Sequence, residues 1–165
     1  MILPIKVWPE MVLLEPCVTW DFGDPPVGLQ KFLQQDLLDT LAHTHALGLA
    51  ANQVGISYRV MAMAVQETGE KLVMFNPELL EVSEQLWDCP EGCLSFPKLE
   101  LVIARPKSIK ASWYDMHGKQ YHGEFHNMDA KCFLHELDHL DGKVFKDYVS
   151  PMKFARALTK LRKKQ

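Results

Sequence analysis

No stretch of this chain approaches the roughly 18 consecutive apolar residues that a membrane helix needs, so no membrane-spanning segment and no membrane partner are expected. The opening residues, Met1-Ile2-Leu3-Pro4-Ile5-Lys6, are too short an apolar run for a secretory signal. An Arg/Ser-rich transit segment is missing as well, and a cytoplasmic location is the expectation. Repeats and low-complexity linkers are absent, so residues 1–165 read as a single domain. Cysteine is sparse: Cys17, Cys89, Cys93 and Cys132 in a signal-less chain are better read as thiols or metal ligands than as two disulfides. With 47% hydrophobic and 24% charged residues, the rest is ordinary globular material.

Acidic residues are missing from one place. Residues 151–165 carry Lys153, Arg156, Lys160, Arg162, Lys163 and Lys164 and no carboxylate. The chain as a whole is −3, so these six cations leave −9 on residues 1–150. Phe154, Ala157, Leu158 and Leu161 add an apolar stripe, which predicts a docked basic helix over about 151–165. Six charges without base-reading residues make only a non-specific electrostatic surface, so DNA recognition is not expected.

What the chain does contain is His135-Glu136-Leu137-Asp138-His139. On a helix, residues four apart share a face, so both imidazoles can converge on one ion with Glu136 beside it. Phe133, Leu134, Leu137 and Leu140 give the segment an apolar face, and Asp141-Gly142 supplies a stop. A third ligand is needed. Cys132 is seven residues before His139, about 10.5 Å along a helix axis, too far for one ion with bonds of about 2.0–2.3 Å. Cys93 is the best candidate, because Pro90-Glu91-Gly92-Cys93-Leu94-Ser95-Phe96-Pro97 can present a side chain and a free backbone N–H together. Cys89 is the alternative. Two imidazoles and a thiolate leave a position open for water, the catalytic pattern, whereas Cys89 and Cys93 with both histidines would close a structural site. Glu136 is placed to take a proton from such a water. In Leu47-Gly48-Leu49-Ala50-Ala51-Asn52-Gln53, Gln53 can donate an amide N–H to an oxyanion without titrating.

The periodicity predicts a helix over 28–45 with Leu29, Phe32, Leu33, Leu37 and Leu41 inward. Strands are predicted over 58–66 and 71–75, the second ended by Asn76-Pro77, and a hairpin over 108–114 and 119–125. The fold class that follows is α+β, antiparallel sheets around a central helix carrying the two histidines, with N-terminal and C-terminal helices. His43, His45, His117, His122 and His126 read as solvated, and Trp113, Tyr114, Tyr121 and Phe125 as cross-strand packing.

Together, Gly48-Leu49-Ala50-Ala51-Asn52-Gln53, Glu91-Gly92-Cys93-Leu94-Ser95 and His135-Glu136-Leu137-Asp138-His139 resemble the three signature motifs of peptide deformylases, in the family's order. The likeness extends to Asn76-Pro77-Glu78-Leu79-Leu80, Arg105-Pro106, the turn from Asp115 to Gly118, and Asp147-Tyr148-Val149-Ser150-Pro151. The resemblance implies Cys93, His135 and His139 as ligands of one divalent metal ion, Fe²⁺ by preference, with Zn²⁺, Ni²⁺ or Co²⁺ able to substitute. Thiolate and imidazole ligands alone do not discriminate sharply among these. It implies Glu136 as general acid/base, and Gln53 with the backbone N–H of Leu94 as oxyanion donors. An N-formylmethionyl peptide would pair along Gly48 and Glu91-Gly92, with methionine bordered by Leu47, Leu94 and Cys132. It further implies ribosome contact through the basic terminal helix. Three positions depart from the family pattern: Ala46 replaces a glycine, Leu134 a glutamine, and Lys131 an apolar residue near the methionine pocket. These suggest a divergent, phage-encoded or paralogous copy. Two other readings share features of the pattern: a zincin-like metallopeptidase, for which only Asp141 and Asp147 follow as ligands, and a non-catalytic zinc module.

Overall fold

The computed structural model describes residues 1–29 and 32–163. In chain order the elements are α1 (Leu33–Thr44), β1 (Gly48–Ala50), β2 (Val60–Ala64), β3 (Lys71–Val82), β4 (Leu86–Cys93), β5 (Phe96–Pro106), β6 (Ser108–Tyr114), β7 (Gln120–His126), α2 (Asn127–Leu140) and α3 (Pro151–Arg162). A short 3-10 helix, Ala51–Val54, follows β1. Five strands form an antiparallel sheet in the order β1-β2-β3-β6-β7, and β4 and β5 make a separate long hairpin. The α+β expectation is met.

Strand alternation sends two apolar sets to opposite faces of the sheet. Met61 and Met63 of β2, with Met74, Ile109, Ala111 and Phe125, pack under Ala130, Phe133, Leu137 and Leu140 of α2. Val60 and Ala62, with Leu49 and Phe75, meet Leu33, Leu37 and Leu41 of α1 and Trp20. The three leucines lie at i, i+4, i+8, one stripe of the helix, and each is at most 2% exposed, so each contributes about 1.5–3 kcal/mol by burial. A third cluster joins Leu99, Leu101 and Ile103 of β5 to Leu13, Val144 and Phe145, with Phe154, Leu158 and Leu161 of α3 packed against it. Helix α2 thus lies between the sheet and the β4–β5 hairpin.

Two element boundaries differ most from the sequence reading, while the strand predicted over 58–66 is trimmed to Val60–Ala64. The first helix begins at Leu33, because Gly28 takes a φ of 80°, outside helical space, and Phe32 is left 56% exposed instead of facing the core. Gln30 and Lys31, inside the predicted helix, lie outside the described residues, as do Lys164 and Gln165 of the predicted C-terminal helix. Asn76-Pro77 does not end β3. The strand runs on to Val82 through a register shift between Phe75 and Glu78, where Pro77 interrupts no ladder bond and Asn76 takes a φ of 47°. The Asn76 side chain stabilises the bulge by accepting from the Trp20 N–H at 2.8 Å and donating to the Trp20 carbonyl at 2.9 Å. Among the described residues no helix is long and apolar enough to cross a membrane.

Candidate metal centre and active site

Three elements deliver the polar groups. Cys93 ends β4, and Leu94-Ser95 turn the chain into β5. His135, Glu136 and His139 sit in the C-terminal half of α2, His139 in its last turn, and all are under 9% exposed. Gln53 comes from the 3-10 helix after β1. The N-terminal arm ties the first and last of these segments together: the Lys6 N–H donates to the Gln53 carbonyl at 2.7 Å and the Trp8 N–H to the Ser95 carbonyl at 2.9 Å.

The side-chain ligand atoms of Cys93, His135 and His139 all lie within 4.8 Å of one another, and Cys93 Sγ stands 3.3 Å from His139 Nε2. One thiolate and two imidazoles at this separation suit a divalent transition metal. Burial and the neighbouring His135 hold the His139 pKa well below the ordinary value, so its ring is neutral and ready to ligate. Burial opposes protonation of His135, but hydrogen bonds to Cys93 and Glu91 outweigh it and raise the pKa to about 10; metal binding there displaces a proton.

Behind His135 runs a buried polar chain. His135 Nδ1 meets Glu91 Oε2 at 2.8 Å, leaving Nε2 for an ion. Arg105 donates to both oxygens of Glu91, at 2.7 and 3.1 Å, and to Asp138 Oδ2 at 2.7 Å; Tyr148 donates its hydroxyl to Asp138 Oδ1 at 2.8 Å. Desolvation works against ionising Glu91, but His135 and Arg105 hold its pKa at about 2. Its carboxylate is wholly buried and turned to these partners, not to the cavity, so the expected substrate contact of Glu91 is left to its backbone alone. Arg105 was not singled out as a site residue. Strand alternation through Leu99, Leu101 and Ile103 puts it on the inward face, and a lone cation in an apolar series needs a buried anion.

Glu136 faces the ligand group from the side. Burial raises its pKa to about 7, partly offset by His135, and among the described residues Oε2 has no hydrogen-bond partner. A carboxylate so poised can both accept and return a proton near neutral pH. The Gln53 amide is oriented by its carbonyl end, which accepts from the Ala50 N–H at 2.9 Å; Nε2 is then aimed at Cys93 Sγ, 3.6 Å away, and Ser95 Oγ, 3.3 Å away. Gly48 lets β1 lie directly on α2: a Cβ there would collide with Glu136 and sit 2.7 Å from Cys132 Sγ.

These groups open into a cavity of about 490 Å³, lined by Leu47, Gly48, Gln53, Gly92, Cys93, Leu94, Cys132, His135 and Glu136. Its wall also carries Ala46, His45 and Lys131, whereas Leu134 is buried in the core under the sheet. His45 is exposed, in keeping with the solvated reading, and stands in the wall of this open cavity. Its neighbourhood with the first motif was the only signal.

The polypeptide deformylase family model matches residues 2–155. The chain belongs to the peptide deformylase family. It is 41% identical over 128 residues to a peptide deformylase of Baumannia cicadellinicola, 77% of this chain and 76% of that one. A crystal structure of peptide deformylase from Ehrlichia chaffeensis superposes with a TM-score of 0.88 at 30% identity, over 99% of this chain and 97% of that one. The Ehrlichia enzyme in complex with actinonin gives a TM-score of 0.87 at 31% identity, over 99% and 98% of the two chains.

The alternatives lose their ligands. Asp141 is paired with Arg59 at 2.7 Å, and Asp147 with Lys146 and the Val144 N–H, so neither supplies a zincin-type third ligand. Cys89 shares a face of β4 with Cys93 but is four residues away, about 13 Å along a strand, and stands outside the ligand group. Among the described residues the ligand group is Cys93, His135 and His139 without Cys89, so the four-ligand site that it would have completed does not form. Cys17 and Cys132 are also free and buried, with burial pushing the Cys17 thiol to about 11 and that of Cys132 well above its ordinary value. Such thiols are inert at neutral pH.

Proposed function

We propose that this deformylase hydrolyses the formyl group from the N-terminal formylmethionine of nascent polypeptides, with Cys93, His135 and His139 holding one divalent ion. The observation that carries this reading is the convergence of one thiol and two imidazoles beside a buried carboxylate with an unpartnered oxygen, in a cavity a peptide can enter. The ion, once bound, acidifies water and polarises the formyl oxygen. Glu136 takes the proton as water adds to the formyl carbon and returns it to the amine nitrogen when the C–N bond breaks, giving formate and a free amino terminus. Gln53 Nε2–H and the Leu94 N–H donate to the oxyanion. Gly48 and the Glu91-Gly92 backbone present strand edges to the peptide, and Leu47, Leu94 and Cys132 border the methionine side chain.

Fe²⁺ is the native metal in this proposal, with Zn²⁺, Ni²⁺ and Co²⁺ as substitutes. The enzyme works in the cytoplasm as one catalytic domain, and α3 contacts the ribosome through its cations. Ala46 and Lys131 alter the cavity wall of a divergent copy, phage-encoded or paralogous, while Leu134 alters only core packing. The test is formate release from a formyl-Met tripeptide by protein prepared anaerobically with Fe²⁺, beside Glu136→Gln. Formate from the wild type and none from the variant, with metal content equal, is the expected result. Equal rates from both would sink the assignment of Glu136, and no formate from metal-loaded wild type would sink the activity.

A further inference from the structure

The mouth of the cavity is basic. Its wall includes Lys98 and Lys131, and Glu136, beside the ligand group, is the only carboxylate among the described residues that line it. Lys131 lies one turn before His135, about 6 Å along α2. Its Nζ donates to the Pro90 carbonyl at 2.7 Å, which fixes the ammonium without neutralising it. Lys98 arrives by another route. The β4–β5 register slips between Gly92, opposite Glu100, and Cys93, opposite Phe96, and inside this bulge Lys98 takes a φ of 63°. Bulges re-aim side chains beside active sites, and this one delivers both Pro97 and Lys98 to the cavity wall. Among the described residues Lys98 has no ion-pair partner, and Glu100, on the same face of β5, pairs with neither lysine.

An extended peptide advances about 3.3 Å per residue, so one that has its formyl carbon at the Cys93–His135–His139 group and runs toward the N-terminus of α2 carries its second side chain level with the turn that holds Lys131, about 6 Å away, and its third just beyond. We infer that Lys98 and Lys131 make this enzyme selective for nascent chains with Asp or Glu at the second or third position. The inference rests on the deformylase reading and adds to it a side-chain preference set by charge. Two partly exposed cations favour a carboxylate and oppose an ammonium, together worth about tenfold in kcat/KM between the two at low salt.

The experiment compares kcat/KM for formate release from formyl-Met-Glu-Ala, formyl-Met-Gln-Ala and formyl-Met-Lys-Ala, and from the matching set with the variable residue third. The Fe²⁺-loaded enzyme is assayed at about 0.01 M and about 0.15 M salt, where the screening length falls from about 30 to about 8 Å. The expected order is Glu above Gln above Lys, compressed at the higher salt. Lys98→Asn, which suits the left-handed backbone, and Lys131→Met, which keeps an apolar stem, should each reduce the Glu-to-Lys ratio by about threefold. Equal rates for all peptides at low salt, or ratios unchanged in both variants, would overturn the proposal. Formate from none of the peptides would remove the deformylase reading and this preference with it.

Discussion

At Gly48 a single hydrogen atom decides whether β1 can lie against α2. Alanine there would press a methyl group onto Glu136 and within 2.7 Å of Cys132 Sγ, so one or both side chains would have to move. Gly48→Ala should cost about 1–3 kcal/mol of stability, measured by urea unfolding, and displace Glu136 enough to cut formate release by at least about tenfold. Unchanged activity would show that the carboxylate position tolerates the shift. Glu91 acts through its neighbour. Glu91→Gln keeps the shape but weakens the bond that orients His135, so metal affinity should fall by about 10–100-fold in chelator competition. An affinity equal to wild type would mean that packing alone holds the imidazole.

Helix α3 shows how an element can be docked and available at once. Phe154 packs edge-on to Trp8 at 5.9 Å and to Phe96 at 6.4 Å between ring centroids, and the Lys153 ammonium donates to the Val102 carbonyl at 3.0 Å. Deleting the helix would therefore expose the third apolar cluster and confuse loss of binding with loss of fold. Reversing the charges of Arg156, Lys160 and Arg162 together avoids this and should weaken co-sedimentation with ribosomes, most at low salt. Co-sedimentation equal to wild type at every salt concentration would reject the contact. The β4–β5 hairpin is the element that the sequence reading did not predict as a pair of strands. Gly92 and the bracketing prolines mask its alternation, yet Cys89, Glu91 and Cys93 share the inward face of β4 as Leu99, Leu101, Ile103 and Arg105 share that of β5.

For the whole molecule, the buried Glu91–Arg105 pair couples stability to pH. Glu91 ionises near 2 in the fold against an ordinary 4.5, so its contribution is fully present above about 4.5 and is lost as pH falls toward about 2. The loss amounts to roughly 3 kcal/mol. Urea midpoints of chelator-treated protein across that range should decline accordingly, and a flat profile would show that the pair gives no net stabilisation.

The grouping of Cys93, His135 and His139 with Glu136 and Gln53 close by was legible in the residues, because metal and acid–base chemistry restrict side-chain types and helical spacing restricts their placement. The order of the three motifs then pointed to the family. The α+β class followed from periodicity for the same reason: core-facing side chains must repeat at 2 or 3.6 residues. Only the folded chain could show that Glu91 turns away from the cavity, that Leu134 lies in the core while Ala46 and Lys131 face the site, and that Cys89 cannot reach the metal ligands. Each of these depends on which strand face or helix face meets which neighbour. That is settled by contacts between segments far apart in sequence, such as Glu91 with Arg105 and His135, Gly48 with Glu136, and the bulge that brings Lys98 to the mouth.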